Sequence, residues 1–181
     1  MNKHVFSTKR LCRAGIIAAL YVVLTYVFAP LAFGPLQIRP AEALCLLPLF
    51  YIEAVPALFV GCMISNLSSP YFFYDVIIGS LISLSAAMVT YMVGRFFKKD
   101  GAKIFFGGLA PVVFNAVCIP VIIVFLCGDP METGVWASYF TLVFSFLFSQ
   151  SVWVYGLGTP LYFFFRKQKK GNQDSKEEES F

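Results

Sequence analysis

Charge is scarce in this chain, and histidine is nearly missing. Only 13% of its 181 residues are charged, against 59% hydrophobic and 18% aromatic, a balance far too apolar for a soluble domain of this length. The one histidine, His4, lies in the basic N-terminal stretch, so the apolar body has no imidazole to act as a base or bind a metal. There is no Gly-x-Ser-x-Gly sequence either, which leaves a Ser/His hydrolase without its machinery. Gly-x4-Gly-Lys-Ser/Thr is also missing, so the chain lacks the loop that cradles nucleotide phosphates. Cys12, Cys45, Cys62, Cys118 and Cys127 show neither CxxC nor Cys/His spacing. Zinc, haem and disulfide readings are therefore weak, no cofactor or metal is expected, and the cysteines suit small apolar packing positions. A membrane protein that is not an enzyme is the reading left.

What is present is a series of apolar runs punctuated by cations. Ala14 to Phe33 carries no charge and as a helix would span about 30 Å, one hydrocarbon thickness. It is too long for the core of a signal peptide, and further runs follow. Spans are expected at 14–33, 76–97, 104–127 and 136–165, while 40–67 is ambiguous. All of the 14 Lys and Arg residues except Arg39 fall in three clusters, Lys3 to Arg13, Arg95 to Lys103, and Arg166 to Lys176. Taken as one span, 40–67 would put the last two clusters outside, opposite the basic N-terminus. Split at Glu53-Ala54-Val55-Pro56, it puts all three on one side, as the preference of cations for cytoplasmic loops requires. The expected fold is an all-α integral membrane protein of the cell membrane. It is a bundle of six transmembrane helices with both termini cytoplasmic and short second and third helices. Residues 1–13 form a basic tail, 14–166 the membrane domain, and 167–181, which includes Glu177-Glu178-Glu179, a disordered cytoplasmic tail.

Pro40 and Pro56 each fit a first helical turn, where a missing N–H costs nothing. The two arms, about 40–53 and 56–67, would each reach only about 20 Å and stop within the outer leaflet. Backbone there must line a cavity or be covered by protein, so an outward-facing pocket is expected. Arg39 and Glu42 open the second helix, Asn66 closes the third, and Tyr74 and Asp75 lead into the fourth. Asn115 lies midway along the fifth span, Gln150 along the sixth, and Trp153 one turn later on the same face. A cation, two carboxylates, carboxamides and aromatic faces suit a small, flat, polar solute. The same residues also suit structural roles. Arg39 and Glu42 can neutralise each other, Asn66 and Asp75 can cap helices, and Asn115 and Gln150 can join helices by hydrogen bonds. Glu53 reads as a solvated turn residue, Asp129 and Glu132 as an outer loop in which Glu132 could gate the pocket, and Trp136 as a marker of the outer interface.

The first span opens Ala14-Gly15-Ile16-Ile17-Ala18-Ala19, where Ala14/Ala18 and Gly15/Ala19 form overlapping small-xxx-small pairs that let a helix approach closely. Packing inside the bundle would use them equally well.

These pieces resemble a known family. The stretch Phe33-Gly34-Pro35-Leu36-Gln37-Ile38-Arg39-Pro40-Ala41-Glu42-Ala43-Leu44 carries most of the likeness. Leu47-Pro48, Gly61 to Asn66, Asn115-Ala116 and Gly158-Thr159-Pro160-Leu161-Tyr162 extend it over about residues 10–165. The chain is similar to the substrate-binding S component of an energy-coupling factor (ECF) transporter, within the QueT family of queuosine-precursor transporters. Ser149, where that pattern has glycine, departs from it at the pocket floor. The resemblance implies a six-helix protein that captures queuine or a related deazaguanine base from outside. A membrane coupling subunit and two ATPases would supply the energy, with Ala14, Gly15, Ala18 and Ala19 docking on the coupling subunit and the bundle toppling to release its cargo. Its partners would be that solute, those subunits and the bilayer, with no nucleic acid. Glu42 or Asp75 would accept the N–H donors of the base, Asn66, Asn115 or Gln150 would read its other edges, and Trp153 and Tyr74 would stack on the ring. Arg39 would hold Glu42. An S component for another vitamin, or a free-standing small-solute carrier, shares most of these features, although no inverted repeat of the carrier type is evident.

Overall fold

The computed structural model describes residues 8–32, 38–128 and 134–178, with side chains as far as 169. Asp129, Glu132 and residues 33–37 of the family-like stretch lie outside the described residues. Helix α1 is Thr8–Val27, followed by a single turn at Ala29–Ala32, where Pro30 prevents continuation. Helix α2 is Pro40–Leu49 and α3 is Ala54–Ser68, whose last turn, Asn66–Ser68, tightens to 3-10 geometry. Three longer helices follow: α4 (Phe72–Phe96), α5 (Asp100–Leu126) and α6 (Val135–Lys169). Each contains a π turn, at Asp75–Gly79, Ile122–Leu126 and Val152–Leu157 respectively. By length and composition α1, α4, α5 and α6 can cross a membrane, whereas α2 and α3 are shorter apolar helices.

The stretch 40–67 is broken, as the distribution of cations favours, but at Phe50–Glu53 and not over the expected Glu53–Pro56. Pro40 is the first residue of α2, and Pro56 lies in the first turn of α3. Helix α2 differs from expectation in kind, being 3-10 throughout. At about 2.0 Å rise per residue its ten residues reach roughly 20 Å, the length foreseen for a longer α-helical arm. A 3-10 run of this length is unusual, and burial accounts for its persistence. Every residue from Pro40 to Pro48 is buried. Helix α1 packs on α3, α3 on α4, α4 on α5 and α5 on α6, while α2 touches each of them from the middle. Two glycines allow that close fit. A Cβ at Gly94 would lie 2.8 Å from the Leu49 carbonyl oxygen, and one at Gly158 would lie 2.9 Å from Leu46 Cδ1.

The outer faces of the long helices expose large apolar side chains, among them Phe105, Phe144, Phe148 and Phe164. A patch of that extent needs lipid rather than water against it. At one end of the bundle the three basic clusters converge, because Arg10, Arg13, Arg95, Lys103, Arg166 and Lys169 all line one cavity beside the 50–53 turn. Glu53, foreseen as solvated, instead pairs with Arg13 at 2.5 Å, with only 10% of its side chain exposed. Arg13 also lies over the Tyr51 ring, 4.2 Å from its centroid. Asp100 is held by Arg166 at 2.7 Å and by the Tyr162 hydroxyl at 2.8 Å. The backbone helix of α6 runs on to Glu178, through residues foreseen as a disordered tail. At the other end Trp136 is exposed and meets Phe125 edge to face.

Candidate functional site

The end of the bundle away from the basic clusters gathers the polar residues of the apolar body. The chain enters α2 through Arg39 and Glu42, leaves α3 through Asn66, and enters α4 through Asp75 within its first turns. All three junctions therefore fall at one depth. Asn115 reaches them from the middle of α5. Arg39, Asn66, Ser69, Asp75 and Asn115 line one enclosed cleft, with Cys62, Tyr71, Ser83 and the α5 isoleucines Ile119 and Ile123. Its cavity volume is about 10 Å³, room for roughly one water molecule. The outward-facing pocket expected from the sequence is therefore closed in this conformation.

Hydrogen bonds explain the closure. The segment after α3 folds back, with Asn66 Nδ2 donating to the Asp75 carbonyl oxygen at 2.8 Å and to Cys62 Sγ at 3.4 Å. Ser69 Oγ donates to Asp75 Oδ2 and accepts from the Tyr71 backbone N–H at 3.2 Å. Gly79 allows the approach, since a Cβ there would lie 3.2 Å from Asn66 Nδ2. Asp75 is thus no N-cap. It lies inside the helical run of α4, at the start of its π turn, a distortion that recurs at functional positions.

Glu42 lies deeper and is fully engaged. Its Oε1 accepts from the Tyr21 hydroxyl at 3.0 Å, and its Oε2 from Cys45 Sγ at 3.1 Å and Asn115 Nδ2 at 3.4 Å. Arg39 Nε donates to the Ala32 carbonyl oxygen at 3.1 Å while its side chain lines the cleft. The contrast with Asp75 and Asn66 is chemical. Asp75 Oδ1 and Asn66 Oδ1 are both buried and accept no hydrogen bond, and a buried acceptor left in that state costs about 1–3 kcal/mol. The cleft therefore presents two unpaired acceptors, and a partner with N–H donors would satisfy them.

Not every foreseen residue joins this cluster. Tyr74 packs with the apolar group around Ile82, Ile119 and Phe146 and meets Phe73 edge to face. Gln150 is buried on α6 with its Oε1 unpaired, and is not among the cleft's lining residues. Trp153 lines a separate outer groove with Ile38, Phe148 and Val152. Tyr21, Cys45, Cys62 and Ser69 join the network without having been singled out for it. Composition alone suits Cys45 and Cys62 to packing, yet Cys45 stands three residues after Glu42 and Cys62 four before Asn66. Helical spacing puts each pair on one face. The small-residue pairs of α1 separate: Ala14 and Ala18 pack inward, and Gly15 and Ala19 stay exposed.

Long apolar helices closed around a buried polar cleft define a multi-pass membrane protein. The chain belongs to the QueT transporter family, whose model matches residues 11–167. It is similar to the queuosine precursor transporter QueT of Lactococcus lactis subsp. cremoris (strain MG1363), with 37% identity over 87 residues. That match covers 47% of this chain and 51% of the relative, so the chain spans about half the length of the curated relative it matches. No solved structure matches it.

Proposed function

We propose that this chain is the substrate-capture S component of an ECF-type importer, taking a queuosine precursor such as queuine from outside the cell. A coupling membrane subunit and two ATPases would complete the transporter. Membership of the QueT transporter family supports a transport role, and the relative's name supports a queuosine precursor as the substrate class. The observation that carries the site is the pair of buried, unpaired acceptors, Asp75 Oδ1 and Asn66 Oδ1, lining the cleft with Arg39 and Asn115. The guanine-like edge of such a base presents adjacent N–H donors, which a carboxylate and an amide oxygen complement.

Within this reading Glu42 organises the site instead of touching the ligand, since three donors already engage it and one of them is the cleft residue Asn115. Admitting a planar ring requires the 66–71 segment to draw back, which breaks the hydrogen bonds of Ser69 and Asn66 to Asp75. Gln150, Trp153 and Tyr74 then come within the site's reach only as the cleft widens. The helices α2 and α3 act as paired arms in a six-crossing topology, with both termini and the convergent basic end cytoplasmic, as the cation preference favours. The exposed Gly15/Ala19 face of α1 is the docking face for the coupling subunit.

A thermal-shift screen of purified protein against queuine, thiamine, riboflavin, biotin and folate tests the reading. Queuine alone should raise the melting temperature. A shift with a different vitamin would reassign the substrate, and co-purification without any ATPase subunit would contradict the S-component role.

A further inference from the structure

The ring of helices around α2 has a seam, and the seam carries both halves of an amphiphile site. Helices α1 and α6 flank a groove of about 430 Å³ with the buried arm α2 as its floor. Ile16 and Leu20 form one wall, Leu161 and Phe165 the other, and Leu44 and Leu47 the floor. From Lys9 to Leu20 the groove follows about 16 Å of helix, roughly one leaflet of hydrocarbon. At its basic end it adjoins a second cavity of about 580 Å³, and Arg13 and Tyr51 line both.

That second cavity has a marked excess of positive charge. Arg10, Arg13, Arg95, Lys103, Arg166 and Lys169 face only Glu53 and Asp100, and each carboxylate is already engaged, by Arg13 and Arg166 respectively. Arg10, Lys103 and Lys169 have no acidic partner among the described residues. Arginine forks and lysine ammonium groups converging on one concave site suit a phosphate group. A free anion would use the basin and leave the groove unexplained; a zwitterionic lipid would use the groove and leave the excess charge unanswered.

We infer that this seam is a binding site for an anionic phospholipid, with its phosphate headgroup in the basic cavity and an acyl chain in the groove between α1 and α6. Basic pockets between membrane helices hold such headgroups by charge while the chain stays in hydrocarbon. The inference does not depend on the transported solute.

Native mass spectrometry of the detergent-purified protein, supplied with phosphatidylglycerol and phosphatidylcholine of identical acyl chains, reads the site directly. The wild type should retain phosphatidylglycerol over phosphatidylcholine. Arg10→Gln combined with Lys169→Gln should lower that preference by on the order of tenfold. Ile16→Trp, which fills the groove and leaves the cations in place, should release phosphatidylglycerol. Because the preference is a ratio within one sample, it remains readable in a variant that is partly unfolded. Equal retention of the two lipids by wild type overturns the inference. So does an unchanged ratio in the double variant, or binding of inorganic phosphate as tight as that of phosphatidylglycerol.

Discussion

Tyr21 on α1 donates its hydroxyl to Oε1 of Glu42 on α2 at 3.0 Å, and both residues are 2% exposed. The bond joins the helix at the seam to the arm at the centre of the bundle. Tyr21→Phe keeps the ring packing and leaves a buried carboxylate oxygen without its donor, at a cost of about 1–3 kcal/mol. The melting temperature of the purified variant in detergent should fall by several degrees. A melting curve that overlays the wild type would show that the hydroxyl holds nothing in place.

Gly94 brings α4 against the last residue of α2. Gly94→Ala places a Cβ 2.8 Å from the Leu49 carbonyl oxygen, and overpacking of this kind costs about 1–3 kcal/mol. The gain of up to roughly 1 kcal/mol in helix propensity does not offset it. Gly101→Ala meets nothing within 4 Å and should be neutral or slightly stabilising. Equal melting temperatures for the two variants would mean that α2 does not sit as tightly as described.

The exposed Gly15/Ala19 pair gives the coupling reading its own test. Gly15→Leu adds bulk where nothing lies within 4 Å, so the bundle itself should tolerate it. In the S-component account the variant fails to co-purify with ATPase subunits, and the thermal shift with queuine survives. Retention of the ATPases would remove this face from the docking surface.

Much of this arrangement was legible in the chain because a few residues have only one good use. The three basic clusters called for a break in 40–67, and Pro40 and Pro56 suited the first turns of the two arms it leaves. Arg39, Asn66 and Asp75 line one cleft, and Glu42 joins them through Asn115. The 3-10 form of α2 was not legible, since it is fixed by what surrounds it, including Gly94 and Gly158, far away in sequence. Nor was the network on Glu42. Tyr21 is 21 residues away and Asn115 is 73 away, so no local pattern announces them. Gln150 and Trp153 do not line the cleft, because α6 is apolar on most of its faces. Its rotation, further offset by the π turn Val152–Leu157, cannot be read from spacing.

Topology is open to a direct chemical probe. Cys12 is exposed near the start of α1, whereas Cys45 and Cys62 are buried. With Cys118 and Cys127 replaced by alanine, a membrane-impermeant maleimide should label Cys12 in inside-out vesicles and spare it in right-side-out ones. Labelling in right-side-out vesicles would place the basic end outside and reverse the proposed orientation.

The most direct test is calorimetric titration of queuine into purified wild type, Asp75→Asn and Glu42→Gln. Wild type should bind it saturably. Asp75→Asn should weaken that binding roughly tenfold or more, the worth of a charge-assisted hydrogen bond of about 1.5–3 kcal/mol. Glu42→Gln should chiefly lower the melting temperature. No binding to wild type, or equal affinity in wild type and Asp75→Asn, would contradict the proposed site.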